Sequence, residues 1–417
     1  MARIVAALLL LTPLLSCAPD DAERAYYAAL RGEETGMGRI RQIELLEQAV
    51  SLQPRRAWYR ETRAIYLIDL REFVRASAEL DPEPLPVLTS LGNRLTGPRG
   101  MLEKDNSTPP SRSEEGMPTT VAAETWPALP IESWNDTRAT LHMWTQVVGK
   151  VCLALTPLTN HYWNIAFHLT PRGLVTPPMT AGGGTFTITF DLVAHQLVFE
   201  CSDGRAKMNP LRPQTVADFY RETMATLHDM GIAVRIWPRP VEIQDPIRFD
   251  ADQVHRSYDP VWANAFWRAI LAMKPVFDSF RCGFIGKCSP LHFFWGSFDL
   301  AVTRFSGRRA PERPGADSMT REAYSHEVIS HGFWPGTGPE QDAAFYAYTA
   351  PEPPGFQEAP IAPAAAFYHK ALSIYVLPYE AVRRAASPAA ELAAFLNSTY
   401  DAGARLAKWD RAELERR

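Results

Sequence analysis

Residues 287–308, KCSPLHFFWGSFDLAVTRFSGR, crowd four Phe, one Trp, one His, one Asp and two Arg into a run with a single Pro and no helical period. An ordinary half-buried strand alternates apolar with polar residues. Read as one strand, this run puts His292, Phe294, Phe298 and Arg304 on one face and Trp295, Asp299 and Phe305 on the other. Both faces are then largely buried, with charges among them, and an unpaired buried ion costs several kcal/mol. The segment is therefore either a polar core network or the wall of a site.

The text around it alternates element types. Leu141, Trp144, Val148, Cys152 and Leu155 form a helical stripe over residues 138–155. Residues 163–170, 185–192 and 196–202, rich in aromatic and β-branched residues and separated by Gly, Pro or Asp, predict an antiparallel meander. A helix over 215–230 stops at Gly231. A strand at 233–236 is broken by Pro238 and Pro240, and a helix over 261–280 leads into strands within 291–305. Further strands are expected at 322–330, 344–349 and 373–377, then helices at 379–386, 388–401 and 404–413. Grouped rather than alternating elements predict an α+β fold of mostly antiparallel sheets with flanking helices. One internal echo suggests two related halves, each a helix, a meander and a helix. A helix bearing Trp144 or Trp267 precedes an aromatic strand led by His161 or His292, which ends in Arg172 and Gly173 or in Arg304 and Gly307.

Ahead of this body, residues 1–17 combine Arg3, an apolar run and the ending LLSC, the layout of a secretion signal with a lipoprotein-type box. Cleavage before Cys17 would make its thiol the lipid attachment point, and Ala18 after it favours sorting to an outer membrane. Residues 20–96 predict a short helical arm. Its L-x-P endings weakly resemble a tetratricopeptide repeat, but the spacing from Pro54 to Pro82 is shorter than the roughly 34 residues of that repeat. Residues 97–116 are a Pro, Ser and charge-rich linker, and residues 117–417 form the α+β domain. Translation beginning at Met117 is the alternative, and it places the protein in the cytoplasm. Cys152, Cys201, Cys282 and Cys288 allow three pairings. In an oxidising space Cys282 and Cys288 are near enough in sequence to bridge, whereas in a reducing cytosol all four stay small hydrophobes.

A net charge of −4 and a pI near 6.2 argue against nucleic acid as a partner. In SHEVISH, His326 and His331 are five apart, so they share neither a helix face nor a strand face, and no C-x-x-C pair exists. No metal site and no cofactor are signalled. AGGGTF (181–186) lacks the Lys and following helix of a phosphate cradle, and no Ser sits in a G-x-S-x-G elbow. What remains is polar residues set in aromatic text. His292 with Asp299 offers an acid/base pair and Arg304 an anion contact, with His326 and Glu327 as further catalytic candidates. His161, Trp163, Arg172, His255, Tyr258, Lys287, Trp295 and Trp334 are candidate ligand contacts.

Several blocks carry a family resemblance: WNDTRATLHMWTQVVGK (134–150), NHYWNIAFHLTPRG (160–173), ADFYRET (217–223), HRSYDP (255–260), the 287–308 run, EAYSHE (322–327) with GFWPG (332–336), and LPYEAVR (377–383). In this order, across residues 126–414, the chain resembles the bacterial family catalogued as domain of unknown function 5996. The resemblance implies domain bounds and no activity. Three readings follow. One is an enzyme, a hydrolase or transferase, acting on an anionic or polar substrate. Another is a binding module in which Trp163, Trp295 and Trp334 are stacking platforms, for instance for a sugar, and the helical arm is a partner-docking spacer. The last is a structural fold with an internally satisfied polar network. A pocket requires His292, Arg304, His326 and one of His161 or His255 to converge within a ligand's width. Lipidation at Cys17 predicts that native protein fractionates with membranes and that Cys17→Ala releases it; soluble protein whose intact mass starts at residue 117 or 118 contradicts this.

Overall fold

The computed structural model describes residues 125–416, apart from 244, 314–315, 317 and 337–341. The signal, arm and linker expected over residues 1–116 lie outside the described residues. The first half runs from α1 (Ile131–Leu155) through a 3-10 segment (Asn160–Ile165) into β1 (His168–Leu169), β2 (Gly173–Val175), β3 (Met179–Ala181), β4 (Gly184–Asp191), β5 (Gln196–Cys201) and β6 (Ala206–Pro210). It closes with α2 (Val216–Asp229), whose first turn is capped by the Thr215 side chain accepting from the Asp218 backbone N–H.

The second half opens with α3 (Pro260–Cys282). Asp259 caps the backbone N–H groups of Val261 and Trp262, and Pro260 follows it at the first helical position, where its missing donor costs nothing. Then come β7 (His292–Phe294), β8 (Asp299–Arg309), α4 (Ser318–Ala323), β9 (His326–Trp334), β10 (Ala344–Ala350), β11 (Phe367–His369) and β12 (Ile374–Pro378). The helices α5 (Tyr379–Arg383), α6 (Pro388–Leu406) and α7 (Arg411–Leu414) complete it. Each half sets antiparallel strands against flanking helices, and the class is α+β; the element orders differ, because α4 interrupts the strands of the second half and the strand expected to start at His161 is a 3-10 segment.

Several boundaries differ from the sequence reading. Residues 163–165 belong to the 3-10 segment, because His161 and Tyr162 take left-handed backbone angles that no strand accommodates. Residues 233–236 pair with no described strand, and residues 322 and 323 end a short helix before β9 begins. The 404–413 helix is divided between the end of α6 and the short α7.

Each half builds one six-stranded antiparallel sheet. The first has the order β1-β2-β4-β5-β6 with β3 paired to β4, and the second the order β11-β12-β10-β9-β8-β7. The two are joined where their first strands meet, with Phe167 and Phe293 each donating a backbone N–H to the other's carbonyl at 2.9 Å.

The helix α1 is buried at every residue from 140 to 152. An apolar stripe alone would leave its outer face wet, but here the opposite side carries a second, polar stripe at four-residue spacing: Arg138, His142, Gln146 and Lys150. Gln146 clamps the backbone of Val241 from both sides, accepting its N–H at 2.8 Å and donating to its carbonyl at 2.7 Å. His142 Nε2 reaches the Gly296 carbonyl at 3.0 Å. His142 and Gln146 therefore grip the turn between β7 and β8 through the Gly296 carbonyl.

Gly149 of α1 lets the Trp295 ring lie directly on the helix backbone: a Cβ there would stand 2.1 Å from the ring. Trp295 Nε1 donates to the Ile165 carbonyl at 2.9 Å, which fixes the indole in that slot. Gly149→Ala should destabilise by about 1–3 kcal/mol through overpacking, whereas Gly283→Ala, whose new Cβ meets only the Phe280 carbonyl at 3.6 Å, should be near neutral. Thermal melting of the two variants checks this, and equal melting temperatures contradict it.

Candidate functional site

The 287–308 run is a hairpin, not one strand. Phe294 pairs with Asp299 across a four-residue turn, and His292 pairs with Ala301. Residues opposite each other share a face, so the turn resets the alternation. His292, Phe294, Asp299, Ala301, Thr303 and Phe305 lie on one side, and Phe293, Leu300, Val302 and Arg304 on the other. Phe298, in the left-handed region at φ 56°, closes the turn.

The two sides meet different surroundings. The Arg304 side joins the main core beneath α3, α5 and α6, and His331 of β9 reaches Thr399 of α6 from there, Nε2 to Oγ1 at 3.0 Å. Among the described residues the other, distal side forms two small clusters, around Trp334 with Tyr346 and around Phe305 with Val328 and Ala350. Strand alternation puts His326, Ser330 and Trp334 of β9 on that distal side and His331 on the core side.

On the distal face the 3-10 segment brings in His161 and Trp163. His161 Nδ1 lies 3.0 Å from the Glu322 carbonyl, which can only accept, so Nδ1 carries the proton and Nε2 presents a lone pair. Lys287 Nζ stands 2.6 Å from that Nε2. The Glu322 carboxylate adds a bond from the His161 backbone N–H at 3.2 Å. Burial and the neighbouring Lys287 hold the imidazole below its usual pKa. Lys287 itself is exposed, yet partial desolvation against Trp163 and Phe305, whose ring centres lie 5.4 and 4.8 Å away, lowers its ammonium pKa. His161 and Tyr162 stand at φ 60° and 58°, two successive strained residues. Such residues cost on the order of 1–3 kcal/mol each and persist where surrounding contacts impose them.

From Trp163 the aromatic contacts pass to His292 at 5.9 Å, and His292 meets His168 at 5.4 Å and Phe294 at 5.6 Å. His161 meets His326 at 6.0 Å. His292 is buried, and its Nδ1 has no hydrogen-bond partner among the described residues. Burial, then the nearby His168 and Arg281, push its pKa down to about 3, so the ring is neutral at physiological pH. Further along the face Asp299 accepts from Tyr346 Oη at 2.5 Å and from Ser297 Oγ. Burial nevertheless raises its carboxyl pKa, outweighing those two donors. Tyr348 continues the row, its hydroxyl 3.0 Å from that of Tyr324.

Of the sequence candidates, His161, Trp163, Lys287, His292, Asp299, His326 and Trp334 thus lie on this face. Asp299 and His292 share it without a mutual hydrogen bond, because Asp299 is taken by Tyr346 and Ser297. Arg304 is not there: the reset alternation turns it into the core, where its guanidinium stacks on Phe280 at 3.5 Å and Tyr400 at 4.2 Å. Glu327 points to the side opposite His326 and takes Arg308 at 2.6 Å and Ser306 Oγ at 2.9 Å. His255 is held by Asp252 at 2.7 Å, Arg172 by Asp191 at 2.5 Å, and Tyr258 by His195 at 2.8 Å, each away from the cluster. Trp295 is a core residue and offers no platform.

Among the described residues no group of three His, Cys, Asp or Glu is placed to hold a metal ion. Cys152, Cys201, Cys282 and Cys288 are free thiols.

Sequence reasoning missed Lys150. It is 4% exposed and has no ion pair among the described residues, and burial lowers its pKa to about 8. The signal was present in the four-residue spacing of the polar stripe in α1. The unfolded chain gives up this proton near 10.5 and the folded chain near 8, so the burial penalty is fully present below about 8 and fades as pH rises toward 10.5. Lys150→Met should accordingly raise the unfolding free energy at pH 7 by up to about 3 kcal/mol. That gain should shrink at pH 10; denaturant unfolding at both pH values measures it, and an equal gain at both contradicts the buried-ammonium account.

A family model described as Family of unknown function (DUF5996) matches residues 126–416. No curated protein and no solved structure matches the chain.

Proposed function

We propose, for a chain that belongs to the family of unknown function DUF5996, that the distal face of the second sheet binds a small polar ligand between Trp163, His168, His292, His326 and Lys287. The observation that carries this reading is His292. A buried, neutral imidazole with an orphaned Nδ1 forgoes about 1–3 kcal/mol, and three aromatic rings hold it in place while supplying no hydrogen bond. A ligand polar atom at that nitrogen recovers the loss. Ligand sites have this composition, apolar and aromatic walls with a few placed polar groups.

The other polar groups complement it. His326 Nδ1 lies 3.0 Å from Ser325 Oγ, and that hydroxyl also donates to the Glu322 carbonyl at 2.9 Å. Ser325 therefore accepts from Nδ1, which leaves His326 Nε2 as an acceptor. Lys287 contributes a cation at the rim. If Cys17 is lipidated, this chemistry faces the periplasm or the cell exterior.

The test is native mass spectrometry of the full chain for co-purified small molecules, followed by thermal shift with the molecules found. Saturation at about a hundred times Kd stabilises the folded state by about 2.7 kcal/mol. His292→Phe keeps the ring volume and removes both nitrogens, and should cut that stabilisation by more than half while leaving the unliganded protein at least as stable. Ligand retention unchanged in both His292→Phe and Trp163→Ala overturns the assignment.

A further inference from the structure

We infer that Lys287 is a nucleophilic amine and that the ligand of the distal face is a carbonyl compound, held as an imine. This rests on the binding reading above and specifies its chemistry.

Lys287, His161 and Glu322 form an ordered set of nucleophile, base and orienter. Lys287 Nζ lies 2.6 Å from His161 Nε2, and His161 Nδ1–H is fixed on the Glu322 carbonyl at 3.0 Å. A base within hydrogen-bond reach of a nucleophile, itself oriented by a third group, is the general signature of covalent catalysis. The carbonyl fixes the one tautomer whose lone pair faces the amine. Two successive left-handed residues, His161 and Tyr162, put the imidazole in place.

The common structural role for a surface lysine is a carboxylate pair, and Lys287 has none: no ion pair joins it to a described residue. It contacts instead a neutral imidazole and the two ring faces of Trp163 and Phe305. Partial desolvation in these surroundings lowers the Lys287 ammonium pKa, outweighing the pull of the Glu322 carboxylate, and so brings the proton within reach of transfer to His161 Nε2. Unlike the buried Lys150, Lys287 is open to solvent and so to a substrate.

The step balances without another reactant. The Lys287 ammonium passes one proton to His161 Nε2. The free amine attacks the carbonyl carbon; the N–C bond forms as the C=O π pair moves to oxygen, which takes the proton back from the imidazolium. The imidazole next takes a proton from the carbinolamine nitrogen and delivers it to the hydroxyl, and water leaves as the freed nitrogen lone pair forms the C=N bond. The net change is ammonium plus carbonyl to protonated imine plus water.

The experiment incubates the full chain with glyoxylate and sodium cyanoborohydride at pH 7 and maps the reduced adducts by peptide mass spectrometry. Lys370 and Lys408, both exposed, serve as internal references. Lys287 should be modified first. Its rate should fall on the order of a hundredfold in His161→Gln, the contribution of a positioned base, while the rates at Lys370 and Lys408 stay unchanged. Circular dichroism and thermal melting of His161→Gln, read beside the exposed-histidine control His228→Gln, which should label normally, separate loss of the base from loss of the fold. Labelling of Lys287 no faster than Lys370 and Lys408 overturns the imine. A chain that labels uniformly yet retains its co-purified ligand loses the imine and keeps the binding site; one that does neither loses both.

Discussion

Two hydrogen bonds hold the two halves of the sheet system in register. Phe167 and Phe293 exchange backbone N–H and carbonyl at 2.9 Å each way, and both side chains belong to the main core. Because each lies at the start of its half's meander, the pair sets how β1 meets β7. It thereby sets how His168 and the 3-10 segment before it face His292. The proposed site spans this junction, with His161, Trp163 and His168 from the first half and Lys287, His292 and His326 from the second.

The polar stripe on α1 serves the same junction from beneath. Burying Arg138, His142, Gln146 and Lys150 is costly. The Val241 backbone and the Gly296 carbonyl recover part of that cost through Gln146 and His142. Burial lowers the pKa of Arg138 to about 10 and of His142 to about 4. The stripe exchanges stability for a fixed position of the β7–β8 turn, and the strained pair His161–Tyr162 makes a similar exchange on the other side of the site.

Much of this was legible from residue patterns. The α+β class, the long helices and the grouping of strands follow from periodicity and from the Gly and Pro that punctuate it. The 287–308 run was legible as either a polar core network or the wall of a site, and His161, Trp163, Lys287, His292 and His326 as candidates within or around it. The parity of that run was not legible, because alternation counted through Trp295, Gly296, Ser297 and Phe298 assumes an unbroken strand. The error moved Arg304 into the site and Asp299 away from His292's side. Left-handed angles at His161 and Tyr162 leave no mark in composition either: both residues sit in aromatic text that reads as a strand. Lys150 was hidden by the apolar majority of its helix, although its spacing from Gln146 and His142 is regular.

The four-residue turn between β7 and β8 has an evolutionary consequence. Side chains on this face can be exchanged one at a time, each altering a single contact. Insertion or loss of one residue between Phe294 and Asp299 would instead invert β8 as a whole, presenting Arg304 and Val302 to the distal face and driving Asp299 and Thr303 under the helices. Variation within such a family should therefore accumulate as substitutions along these strands, with the length of the connecting turn held constant.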